Sequence, residues 1–127
     1  MQLKGQLSFE YLLIALIALT LVTISFAALS KIRENGEKQY QLQKTKAFSL
    51  EFFTTLDELC ALGNGNSRTL SVSKTFGVSS GQTPAGYYSS LSDGDNSFSH
   101  ITPCEIKIKR TITGEITLIN NNGKIEI

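Results

Sequence analysis

From Tyr11 to Leu29 the chain carries no charged side chain. As a helix this run is about 28 Å long, close to one hydrocarbon thickness. Its polar members, Thr20, Thr23 and Ser25, can return their hydroxyls to backbone carbonyls. The small residues Ala15, Ala18, Ala27 and Ala28 allow another helix to approach closely. A core helix of a large soluble protein would read similarly, but a chain of 127 residues does not supply such a core. The run therefore predicts a membrane span or the core of a helical assembly. Ahead of it stands a short polar stretch with one acid, Glu10, at the edge of the apolar run. A carboxylate there is costly unless it finds a partner.

The order of features differs from a secretory signal, which puts small residues and a cleavage site after the apolar stretch. Here the candidate processing site, Gly5-Gln6, precedes it, so cleavage would leave the apolar helix on the mature chain. Lys4, Gly5, Gln6, Ser8, Glu10 and Tyr11, followed by Leu12-Leu13-Ile14, form a basic–Gly–Gln-x-Ser-x-Glu-Tyr pattern running into an apolar helix. In this it resembles the class III signal peptide of archaeal type IV pilin-like proteins. The resemblance covers roughly the first thirty residues. It implies a leader of residues 1–5, removed by a membrane prepilin peptidase, with Gln6 as the mature N-terminus. It also implies a role for Glu10 in processing, or in setting register by pairing with the Gln6 amino group of a neighbouring copy. Cyclisation of an N-terminal Gln would remove that amino charge. A glutamate favoured by the helix dipole and reaching the headgroups is the plainer alternative.

Beyond Ser30 the pattern becomes amphipathic. Phe48, Phe52, Leu56 and Leu59 recur at helical spacing, with Leu42, Leu50 and Phe53 expected to broaden the stripe. Asn35-Gly36 is the weak point, read as a kink or hinge, since Gly costs about 1 kcal/mol in a helix interior. Gly63 is the expected stop. The period then changes to two. Leu70 and Val72 alternate with polar residues, with Phe76 a further candidate, as do Ile106, Ile108, Ile112, Ile116, Leu118, Ile125 and Ile127. Thr113-Gly114 and Asn122-Gly123 read as hairpin turns, which predicts a three-strand antiparallel meander at the C-terminus. The Ser/Gly-rich stretch 77–103 lacks clear periodicity and reads as a displayed loop, with room for a strand around Tyr87–Leu91.

The expected fold is α+β: a long N-terminal helix, apolar then amphipathic, packed on a small antiparallel sheet as in type IV pilins. The divisions are 1–5 leader, 6–30 apolar helix, 31–62 amphipathic half and 63–127 β-rich head. A head of about seventy residues is near the lower limit for a self-sufficient core. Cys60 and Cys104 can staple it, closing a loop of roughly 45 residues worth about 4 kcal/mol; two buried free thiols are the alternative.

Charge and chemistry exclude several classes. A formal net charge of +1 with no basic cluster speaks against nucleic-acid binding. Asp93, Asp95 and Ser97 alternate as in a calcium loop. However, Phe98 stands where that loop needs Gly and Cys104 where it needs Glu, so a solvated turn is expected. His100, near Cys104 and Glu105, is read as a surface histidine, and Tyr87-Tyr88 as either an adhesive patch or ordinary core. No cofactor and no catalytic constellation are expected, hence no enzyme. The functional expectation is a structural pilin forming a helical homopolymer at the cell surface, for adhesion. Its partners would be identical subunits, the peptidase, a membrane assembly platform with its ATPase, and the membrane before assembly. The alternative is a single-pass anchored binding module that never polymerises. Lys31, Arg33, Lys38, Lys44 and Lys46 follow the run and by the positive-inside rule would hold the C-terminal part in the cytoplasm. The leader pattern and the cysteines outweigh that argument. No Asn is followed two places on by Ser or Thr, so the chain has no N-glycosylation sequon.

Overall fold

The computed structural model describes residues 3–108 and 110–127, with side chains from residue 8 onward. One helix, α1 (Leu3–Leu62), is followed by β1 (Ser67–Thr83), β2 (Gly86–Ser92), β3 (Ser97–Thr102), β4 (Glu105–Lys107), β5 (Thr111–Asn121) and β6 (Lys124–Glu126). The six strands form one sheet in the order β3-β2-β1-β5-β6-β4. Every pairing is antiparallel except the parallel β4–β6 pair. The fold is thus α+β, a long N-terminal helix with a mostly antiparallel sheet, of the type IV pilin kind. The chain divides into two compact units, one ending at Gln41 and one running from Leu42 to Ile127.

In the first unit the hydroxyls of the apolar run satisfy themselves locally. Thr20, Thr23 and Ser25 donate to the carbonyls of Ile17, Thr20 and Leu21, each at 2.8 Å. This removes the main cost of placing Ser and Thr in an apolar setting. Asn35 and Gly36 are both helical, and a side chain at position 36 would meet nothing within 4 Å.

In the second unit one helix stripe meets one sheet face. Phe52, Leu56 and Leu59 are fully buried, against Leu91, Ile112, Leu118 and Ile125 of the sheet among others. Phe48 stacks on Phe76 at 4.8 Å between ring centroids. Burying each such side chain contributes about 1.5–3 kcal/mol. Leu50 does not join the stripe: it is 60 % exposed. Two positions from Phe52 is a rotation of about 200° on a helix, which places it on the far side. The stripe continues upstream through Ser49 and Thr45, both buried.

The helix ends as expected at Gly63 (φ 80°), whose amide donates to the Leu59 carbonyl at 3.3 Å. The Asn66 side-chain amide takes up the Leu62 carbonyl at 3.0 Å. Asn122-Gly123 does form the β5–β6 turn, with Asn121 facing Lys124. Two expectations are corrected. Thr113-Gly114 is not a turn but lies inside β5, where Ser73, Lys74 and Thr75 of β1 bulge opposite Thr113. Gly114 takes φ 72°, so the same chemistry that suits a turn suits this bulge. The C-terminal strands are therefore no meander, because β4 joins the sheet by parallel pairing with β6 and does not touch β5 in the ladder. Secondly, 77–103 is no irregular loop. It holds the end of β1, all of β2 (including Tyr87–Leu91) and β3, with six- and seven-pair antiparallel registers.

Candidate functional site: an uncovered apolar helix and a latched head

The helix between Ser8 and Gln41 exposes apolar side chains on every side. Phe9, Tyr11, Leu12, Leu16, Leu19 and Phe26 are each 66–73 % exposed, and Leu13 and Ile17, the least exposed of the run, still show 48 %. A helix apolar all round needs an apolar environment on all faces. By length and composition it can cross a membrane, which fits membrane insertion or a signal sequence. Ser8, Glu10 and Tyr11 are exposed at its start. Among the described residues every ion pair lies from Glu34 onward, so none involves Glu10. Lys4, Gly5 and Gln6 fall within the helix bounds, but their side chains lie outside the described ones.

Among the described residues four buried or half-buried contacts fasten the head, beside the exposed Glu58–Arg68 pair. Cys60 and Cys104 form a disulfide across a Cα–Cα distance of 5.9 Å, joining the end of α1 to the approach to β4. A disulfide is consistent with exposure outside the cell.

The second fastening centres on Asp93, in the β2–β3 turn, whose side chain is 3 % exposed. It accepts from the Thr45 hydroxyl at 2.8 Å, from the Asn96 amide at 2.9 Å and from Lys74 Nζ, in the β1 bulge, at 3.2 Å. Burial alone would push this carboxyl up, but the Asn96, Thr45 and Lys74 bonds together outweigh it and hold Asp93 down to about 2. The bulge and the turn thus converge on one buried charge beside the helix. Asp93 spends its oxygens on the fold, while Asp95 and Ser97 are exposed. No group of three or more potential metal ligands occurs among the described residues.

Asn120 supplies the third. It is 1 % exposed; its side chain donates to the Leu59 carbonyl at 2.7 Å and accepts from the Gly123 amide at 3.0 Å. Fourth, His100 of the edge strand β3 sits half-buried, stacked on Phe53 at 5.3 Å, with Nε2 at 2.8 Å from Asp57 Oδ2. Glu105, close to it in sequence, pairs instead with Lys124 at 2.9 Å. That hydrogen bond and the attraction of the Glu105 carboxylate hold the Lys124 amine above its usual value. Tyr87 and Tyr88 are both half-buried and, as neighbours on one strand, point to opposite faces of the sheet.

Thr45 and Asn120 were not among the expected site residues, and Asp93, weighed only as a weak calcium-loop candidate in a solvated turn, is instead a buried anchor of the head. Comparison with protein-family models, curated proteins and solved structures yields no match for this chain. What defines its class is its own architecture: an α+β chain with an uncovered apolar N-terminal helix and a disulfide-bonded head.

Proposed function

We propose that this chain is the structural subunit of an archaeal type IV pilus-like surface filament. In this reading a prepilin peptidase cuts before Gln6. The apolar helix then leaves lipid for a bundle of identical helices, driven by a membrane platform and its ATPase. The observation that carries the proposal is the all-round exposure of Phe9 to Leu29 in a chain whose own core is already complete. Lipid and a ring of sibling helices are the two environments that cover that helix, and exchanging one for the other keeps its apolar surface out of water. The Lys4–Tyr11 pattern supports processing on the polar side, and Glu10 is the residue expected to set register. The reading assigns the protein no catalysis.

A tethered module that never polymerises would share the helix but would have no use for cleavage at Gly5-Gln6. Intact-mass measurement of the native protein separates the two. A mature chain beginning at Gln6, or its cyclised form, supports the filament; one beginning at Met1 overturns it. In cells, Glu10→Gln is expected to leave the head folded while filament yield falls; wild-type yield would remove Glu10 from this role.

A further inference from the structure

The sheet face turned away from the helix has an unusual surface. In register across β1, β2 and β3 stand Ser79, Ser90 and Ser99, with the Ser79 and Ser90 hydroxyls 3.2 Å apart. The next rung holds Gly81, Tyr88 and Ile101. Further along, Thr69 and Thr117 of β1 and β5 bring their hydroxyls to 3.1 Å. On this face of β1, β2, β3 and β5, Glu115 is the charged residue among the described strand positions, and it lies opposite Ser71, on the far side of the bulge from Tyr88.

Tyr88 lies down across the neighbouring strand. A Cβ at position 81 would come within 2.5 Å of its ring Cε1 and 2.9 Å of Cζ, so glycine there is what allows the ring to rest on β1. Beside it a shallow recess of about 510 Å³ opens over Tyr88, Ser99, His100 and Ile101. Ile101 is 53 % exposed.

We propose that this face, centred on Tyr88, binds a neutral polysaccharide. A sugar ring presents apolar C–H groups on its faces and hydroxyls at its rim. It is therefore complementary to a flattened aromatic ring flanked by serine hydroxyls that both donate and accept. Among the described strand positions of this face no charged side chain stands beside Tyr88, which selects against anionic polymers. A protein partner is disfavoured because Ser is depleted in protein–protein interfaces, whose centres are apolar and aromatic-rich. One aromatic and a few hydroxyls make a weak single site, so binding is read on insoluble polymers that present many sites to each chain at high local concentration. The inference rests on the reading that the head faces outward, but not on polymerisation.

The test is co-sedimentation of the full-length chain, in a detergent without a sugar headgroup, with microcrystalline cellulose and with chitin, and gel retardation in alginate as an anionic comparator. Binding to at least one of the neutral polymers is expected. Tyr88→Ala is expected to lower it about tenfold, while Tyr88→Phe keeps most of it. Ser99→Lys, at an exposed edge position, tests the face without touching the core and decides the matter if Tyr88→Ala loses its near-ultraviolet signal. Ser99→Lys should also abolish retention. Binding to neither neutral polymer, equal binding to alginate, undiminished binding by folded Tyr88→Ala or by Ser99→Lys, or a change in oligomeric state with Ser99→Lys would each overturn the proposal. Because the assay uses unassembled chain, failure to form filaments leaves its result unaffected.

Discussion

The two units of this chain use the same kinds of side chain to opposite ends. From Leu42 onward, Phe52, Leu56 and Leu59 fall on one stripe and are fully covered by the sheet of the same chain. Between Phe9 and Leu29 the apolar residues go all the way round, and nearly all stay about half to three-quarters exposed. A core as small as this head's covers one face of a helix, whereas covering the whole circumference takes the core of a large protein or an outside medium. The arrangement of apolar residues, more than their number, therefore decides whether a segment completes its fold within its own chain or needs an outside medium.

The largest expected break in that comparison is Phe52→Ala, which should destabilise the head by about 3–5 kcal/mol. Denaturant titration of the detergent-solubilised chain would show it through the near-ultraviolet signal. The helical far-ultraviolet signal of the apolar run should persist. Simultaneous loss of both would mean that the two segments do not differ as described. Replacing Cys60 and Cys104 together by Ser should cost about 2–5 kcal/mol, since the bridge closes a sequence separation of 44. An unchanged midpoint would show that the staple is idle.

Acid offers a subtler probe. Asp93 is held below its unfolded value, so its contribution is complete above about pH 4 and is lost as pH falls towards 2. The expected loss is on the order of 2 kcal/mol across that window. In Asp93→Asn this part of the acid dependence should vanish; a parallel pH profile would remove Asp93 from the account. Asn120→Ala, which leaves the Leu59 carbonyl without its donor, should cost about 1–3 kcal/mol. Smallest of all is Leu50→Ala, at an exposed helix position, expected within about 0.5 kcal/mol.

How much of this could be read from the sequence followed from periodicity. The Phe48–Leu59 stripe and the alternating isoleucines of the C-terminal strands were legible because apolar residues mark only one face of each. The 77–103 hairpins were not. Ser89 is fully buried and Ser79, Ser90 and Ser99 line the outside, so serine on both faces erases the period of two. Thr113-Gly114 misled because a bulge and a turn call for the same glycine, and the parallel β4–β6 pair involves strands of three residues, too short to show a pattern. The disulfide was legible as a pair of cysteines, but the polar latches were invisible for another reason. Thr45 meets Asp93 across 48 residues, and Asn120 meets Leu59 across 61. Polar residues that join distant segments carry no local signature. The uncovered helix, by contrast, was plain in its missing charges, while its Lys4–Gln6 start lies outside the described side chains.

The central claim, that sibling helices replace lipid around the apolar run, is tested most directly by placing photo-leucine at Leu19 and irradiating material isolated from the cell surface. The account predicts covalent adducts between the apolar runs of different copies, seen as a ladder of oligomers. Adducts to lipid alone, on a chain that stays monomeric, would contradict it.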